Sequence, residues 1–139
     1  MPRRKLVLFV CNENSCRSQM AEAFAHLYAR HLIQAYSAGS RPSGEINPKA
    51  MAAMAELGYD LGKNFSKSLN EISQVKYDYV ITMGCGDECP FIPAEVHEDW
   101  DLPDPKMLPL DQFRQVRDQI GARVKDLAAR IEAGNNAKQ

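Results

Sequence analysis

A chain of 139 residues is long enough for one well-covered core and short for two. Its 45% hydrophobic and 25% charged content is ordinary for a soluble globular protein, and a net charge of −1 gives no electrostatic case for nucleic acid or an anionic membrane. No stretch approaches the roughly 20 apolar residues of a membrane span. Arg3, Arg4 and Lys5 followed by an apolar run imitate the start of a signal peptide. That run is short and no small-residue cleavage site follows, so it reads as a strand. Cys11, Cys16, Cys85 and Cys89 therefore fit a reducing cytoplasm, with catalytic or metal-binding use in place of disulfide staples.

In chain order, Leu6 to Val10 shows little alternation, as expected of a central parallel strand buried on both faces. The spacing of Met20, Phe24, Leu27 and Tyr28 predicts a helix from Ser15 to about His31 with those four residues in the core. Gln34 to Ala38 reads as a short second strand, and Gly39 with Arg41-Pro42-Ser43-Gly44 as loop. Asn47-Pro48 opens a helix, a capping residue followed by proline at the first helical position. It runs through Met51, Met54 and Leu57 to Gly58, with its methionines in the core. Ser68 to Val75 predicts a short helix and Tyr77 to Met83 a third buried strand. Gly84 to Pro90 is a loop or frail turn, and Ala94 to Glu98 a fourth strand. In the last helix Asp111 is the expected cap, and Phe113, Val116, Ile120, Val124, Leu127 and Ile131 form one stripe. Gly134 is expected to close it, leaving 135–139 as a frayed tail. Strands alternating with helices, with no repeat or linker, predict a single α/β domain over 1–139. Its core is an open four-stranded parallel sheet with helices on both faces.

The chemistry concentrates where the first strand ends: Cys11-Asn12-Glu13-Asn14-Ser15-Cys16-Arg17-Ser18. A loop between a buried strand and a helix N-terminus gathers unpaired backbone N–H groups, backed by the positive end of the helix dipole. It suits a tetrahedral oxyanion, and Arg17 adds a planar fork of donors matched to two oxygens. The same field favours a negatively charged sulfur at Cys11, the candidate nucleophile. In open α/β sheets ligands bind beyond the carboxyl ends of the strands. That rule brings the 84–90 and 100–105 loops to Cys11, and with them a carboxylate able to protonate a departing oxygen.

Cys-x5-Arg-Ser after a first strand resembles the low-molecular-weight tyrosine phosphatase superfamily. The longer run Asn14-Ser15-Cys16-Arg17-Ser18-Gln19-Met20-Ala21-Glu22 is similar, more narrowly, to its thioredoxin-coupled arsenate reductases. The resemblance implies a flavodoxin-like strand order and an oxyanion-binding loop of Asn12, Glu13, Asn14, Ser15, Cys16, Arg17 and Ser18. It places the acid immediately before a proline, which matches Asp104-Pro105, with Asp101 the competing candidate. A phosphatase needs one thiol, whereas a reductase must supply two electrons and needs a thiol pair. The resemblance assigns Cys85 as second thiol and Cys89 as third, in a relay started at Cys11. Residues four apart on a helical turn have Cα atoms roughly 6 Å apart, within the disulfide range.

The implied function is cytoplasmic reduction of arsenate to arsenite by a monomer, with no bound cofactor or metal and no nucleic acid or membrane partner. Electrons come from thioredoxin, with glutaredoxin and glutathione or mycothiol as alternatives; phosphate or sulfate would mimic arsenate. One competing reading is a low-molecular-weight phosphatase working through a Cys11 phosphocysteine. Another is a non-catalytic oxyanion- or zinc-binding domain using the four cysteines. His26, His31 and His97 show no ligand spacing, and in the resemblance Cys16 lies on the helix, packed away from the loop.

Three positions depart from the pattern. Glu13 stands where relatives usually carry glycine, which leaves Asn14 to take up a left-handed backbone. Some relatives hold potassium through residues matching Asn14, Glu22 and Ser37; here Lys67 takes the place of the last ligand, so no potassium dependence is expected. Lys106 replaces the aromatic residue that follows Asp-Pro in the phosphatases, which favours a small inorganic anion.

Overall fold

The computed structural model describes residues 3–72, 75–84 and 91–137. Four parallel strands, β1 (Lys5–Cys11), β2 (Ile33–Gly39), β3 (Tyr77–Thr82) and β4 (Ala94–Asp99), lie in the order β2-β1-β3-β4. The predicted α/β class and open sheet are therefore observed. The two central strands are the most apolar because both their faces are covered: Val7, Leu8, Phe9 and Val10 are all fully buried.

The two faces are covered differently. Val7, Phe9 and Ile81 face a core shared with α1 (Arg17–Tyr28), α2 (Pro48–Ala55) and α3 (Leu110–Ala137), through Phe24, Met54, Phe113 and Ile120. Leu8, Val10 and Val80 face the other way, onto Leu69, Ile72 and Ile92. The helix expected over 68–75 is, in its described part, only a 3-10 turn at Leu69–Glu71; residues 73 and 74 lie outside the described residues. Among the described residues, then, the α-helices lie on one face. In the described part of this segment, Leu69 and Ile72 supply the apolar contacts to the second face.

Boundaries moved where local chemistry outweighed periodicity. Helix α1 starts at Arg17 rather than Ser15, because residues 12–15 are held in the loop. It ends at Tyr28, which is 44% exposed rather than in the core; its ring stacks on Phe24 and lies under the Lys125 ammonium. Asn47 caps α2 as expected, its side chain accepting from the Lys49 N–H at 2.8 Å. Helix α2 ends at Ala55, before Leu57. Gly58, at φ +84°, takes the left-handed position, and the Gly58 and Tyr59 N–H groups donate to Ala55 and Met54 carbonyls. Asp111 lies in the first turn of α3, which opens at Leu110, where its carboxylate meets the positive end of the helix dipole. The predicted stripe from Phe113 to Ile131 is buried at every position. Gly134 does not stop α3, which continues to Ala137 in place of the expected tail, since a glycine inside an exposed helical turn weakens it by only about 1 kcal/mol.

Register brings the strand ends that matter into line. Cys11 pairs with Gly39, Val10 with Thr82, and the Met83 N–H donates to the Val10 carbonyl at 2.9 Å. Gly39 sits so close to the loop that a Cβ there would lie 2.7 Å from the Asn12 carbonyl oxygen and 2.8 Å from the Asn14 nitrogen, both backbone atoms that cannot swing aside. Gly39→Ala is expected to destabilise the fold by about 1–3 kcal/mol, the usual cost of overpacking. An unchanged urea midpoint would contradict this packing.

Candidate active site

The loop from Cys11 to Cys16 is built by turning its carbonyls outward. Cys11 O accepts from the Ser40 N–H at 3.3 Å, Asn12 O from Arg41 at 2.7 Å and Ser15 O from Asn47 at 3.1 Å. Glu13 O accepts twice, from the Ser43 N–H at 3.1 Å and the Ser66 hydroxyl at 2.7 Å. With the acceptors engaged on the outside, the loop's N–H groups are the face left for an anion. Cys16 stands at the N-cap of α1 and makes no side-chain cap, so the first-turn donors add to that face.

The turn that makes this possible falls on Asn14, fully buried and at φ +51°. Its side chain is fixed at both ends. The carbonyl oxygen accepts from Gln19 Nε2 at 2.9 Å and from the Lys67 N–H at 2.8 Å, which leaves the amide nitrogen to donate to Ser18 Oγ at 2.8 Å. Ser18 Oγ lies 2.9 Å from Cys11 Sγ. Because Ser18 already accepts from Asn14, its own proton is free to point at the sulfur, an arrangement suited to a thiolate.

Arg17 is 5% exposed, and its guanidinium is set by the loop that follows β4. Nη1 donates to the Leu102 carbonyl at 3.0 Å, and Nη2 is 3.8 Å from Asp104 Oδ2. Gly84 makes room: a Cβ there would lie 2.5 Å from Nη1, and its φ of +84° favours glycine. Trp100, its ring tilted at 51° against Phe9, and Leu102 are buried and anchor the loop that carries Asp104, which stays half exposed. Asp104 lines the cradle with Cys11, Asn12, Glu13, Ser15, Cys16 and Arg17. Asp101 instead faces a groove beside Gln119 and Arg123 of α3.

Cys16 is buried in the cradle wall rather than packed away on the helix. Burial pushes its thiol up to about 12, with the Asp104 and Cys11 charges adding to the effect, so it stays protonated through the neutral range. Cys85 and Cys89 lie outside the described residues; Gly84, which precedes them, is at the cradle's edge. The potassium position does not fit a cation, because Lys67 occupies it: Nζ is 3.4 Å from Ser37 Oγ and 3.1 Å from the Phe65 carbonyl. Burial holds the Glu22 carboxyl above the usual range, and the nearby Lys67 charge pulls it back down. Among the described residues no cluster of three metal-ligating side chains occurs. His26 pairs with Tyr59, His97 with the Ile92 carbonyl, and His31 faces Glu132.

The sequence marks Gln19 only within the family run and Gly39 and Gly84 only as loop residues, and it does not single out Ser66; all four hold the loop or leave it room. The two glycines were visible as loop residues following strands, but the crowding that requires them depends on contacts distant in sequence. Ser66 carried no signal of its own.

Residues 6–137 match the low molecular weight phosphotyrosine protein phosphatase family. The chain is 42% identical over 130 residues to the glutaredoxin arsenate reductase of Synechocystis sp., covering 91% of this chain and 98% of that one. It is 38% identical over 133 residues to arsenate reductase 1 of Staphylococcus epidermidis, covering 93% and 99%. Among solved structures, an arsenate reductase in the phosphate binding state superposes with a TM-score of 0.82 at 41% identity, over 91% of this chain and 98% of the other. The thioredoxin-dependent arsenate reductase of Corynebacterium glutamicum superposes with a TM-score of 0.76 at 33% identity, over 94% of this chain and 63% of that one. On family match, relatives and site geometry together, the chain belongs to the low molecular weight phosphotyrosine protein phosphatase family.

Proposed function

We propose that this protein reduces arsenate to arsenite, starting at Cys11 and drawing its electrons through Cys85 and Cys89 from thioredoxin. The observation that carries the reading is the cradle: outward carbonyls, an Asn14–Ser18–Cys11 hydrogen-bond chain and a buried Arg17 fork around one sulfur. The relatives named arsenate reductases support it, matching nearly the whole chain. Phosphate binding by one of those structures supports a tetrahedral oxyanion as ligand.

In the proposed reaction arsenate sits on the loop N–H groups and the Arg17 guanidinium. The Cys11 sulfur attacks arsenic, one As–O bond breaks, and the departing oxygen takes a proton from Asp104 and leaves as water. The Cys85 thiolate then attacks the Cys11 sulfur. The S–As electron pair passes to arsenic, arsenite departs, and a Cys11–Cys85 disulfide remains. Cys89 attacks Cys85, restoring Cys11 and leaving Cys85–Cys89, which a dithiol reductant converts back with two electrons. Thioredoxin dependence of the Corynebacterium relative supports thioredoxin; the Synechocystis relative's name makes glutaredoxin with glutathione the alternative to assay beside it. The same cradle is equipped to hydrolyse small phosphate monoesters, and Lys106 in place of an aromatic ring disfavours phosphotyrosine.

Cys11→Ser is expected to remove arsenate reduction and ester hydrolysis alike, and Arg17→Lys to lower both at least about a hundredfold, because a point charge cannot reproduce the fork. Retention of a tenth of either activity in Cys11→Ser would take that residue out of the reaction. Cys85→Ala and Cys89→Ala should each stop multiple turnover of arsenate with thioredoxin, thioredoxin reductase and NADPH, yet leave aryl phosphate hydrolysis within about twofold of wild type. Wild-type arsenate turnover in both variants would remove the relay. With Lys67 in the cation position, turnover should be equal in potassium and sodium chloride at matched ionic strength; a severalfold stimulation by potassium would contradict that placement.

A further inference from the structure

We propose that the Glu13–Lys106 ion pair is a clamp that positions the Asp104 carboxyl over Cys11. This rests on the reading of Asp104 as the acid. Lys106 Nζ lies 3.0 and 3.1 Å from the two Glu13 carboxylate oxygens, joining the nucleophile loop to the acid loop. The backbone N–H of Lys106 donates to Asp104 Oδ1 at 3.0 Å, so the clamped residue and the acid share one turn, and fixing one fixes the other. The anchor is firm, since the Glu13 carbonyl is held by Ser43 and Ser66.

The second link between the loops runs through Arg17, which contacts the Leu102 carbonyl and lies 3.8 Å from Asp104. An incoming oxyanion needs that guanidinium, so the substrate competes with this link. The Glu13–Lys106 pair stands at the cradle's mouth, in an open cleft with Asn12, Arg41 and Asp104, and leaves the Arg17 fork untouched. It can therefore hold the acid loop in place while Arg17 turns to the substrate. The Glu13 carboxylate holds the Lys106 ammonium above its ordinary range, so the ammonium stays charged throughout the neutral region.

The test uses two esters that differ in their need for an acid. In each, the Cys11 sulfur attacks phosphorus, the P–O bond breaks, and its electron pair goes to the phenol oxygen. Nitrophenolate leaves unaided, whereas unsubstituted phenolate needs the Asp104 proton. In Glu13→Gln and Lys106→Gln, the ratio of kcat/KM for phenyl phosphate to that for nitrophenyl phosphate should fall roughly two- to fivefold, the scale of a half-exposed ion pair. The double variant should be no slower than either single, and Lys106→Arg should stay near wild type. Salt at about 1 M should impose the same loss on wild type and none on the variants. Equal slowing of both esters, multiplying effects in the double variant, or absence of ester hydrolysis in wild type would overturn the clamp. The ester pattern without arsenate reduction would leave the clamp standing and sink the reductase reading. Arsenate reduction with a flat ester ratio would do the reverse.

Discussion

The site depends on one constraint, the direction in which the backbone of residues 11–15 points its carbonyls. A buried polar backbone group must be paired, and here the partners come from outside the loop: Ser40, Arg41, Ser43, Asn47 and Ser66. Each pairing turns an acceptor away from the cradle. What remains inward is positive, before any charged side chain is counted. The segment between β2 and α2 thus acts as scaffolding for a loop about thirty residues earlier in the chain, and Gly39 is where the two come close enough to exclude a Cβ.

On that frame sits a relay of hydrogen bonds with one consistent direction. Lys67 and Gln19 donate to the Asn14 carbonyl oxygen, Asn14 donates to Ser18, and Ser18 faces the Cys11 sulfur. Direction matters more than the strength of any one bond, because with Ser18 accepting from Asn14 its own proton is free for the sulfur. Cys16 shows the contrast: it lies in the same wall, but its thiol is pushed up by burial and by the Asp104 and Cys11 charges. Two cysteines five apart in sequence are thereby given different chemistry by their surroundings.

The sheet was legible because Leu6 to Val10 in β1 is a continuous apolar run, β3 is mostly apolar apart from Asp78 and Thr82, and α3 carries an unbroken stripe. Burial demands such patterns, and Phe113 to Ile131 obeyed theirs at every position. The Cys11–Arg17 loop was legible because its residue types and spacing are chemical requirements. Tyr28 misled because periodicity cannot tell that a helix is about to end. Over 68–72 the pattern misled because the described apolar contacts there, Leu69 and Ile72, are served by a single turn. Gly84's role could not be read locally: it depends on where Arg17, sixty-seven residues earlier, places its guanidinium.

A single sulfur in an anion cradle accounts for hydrolysis but not for reduction, since hydrolysis moves no electrons and reduction of arsenic moves two. Electrons are proposed to reach arsenic by way of Cys89 and then Cys85, with the disulfide passed outward in the opposite order, because Cys11, 3% exposed, is too enclosed for a protein reductant to reach a disulfide there. Peptide mapping under non-reducing conditions, after one equivalent of arsenate, tests this most directly. The account predicts a Cys85–Cys89 disulfide in wild type and a trapped Cys11–Cys85 disulfide in Cys89→Ala. A dominant Cys11–Cys16 or Cys11–Cys89 bridge in wild type would contradict it.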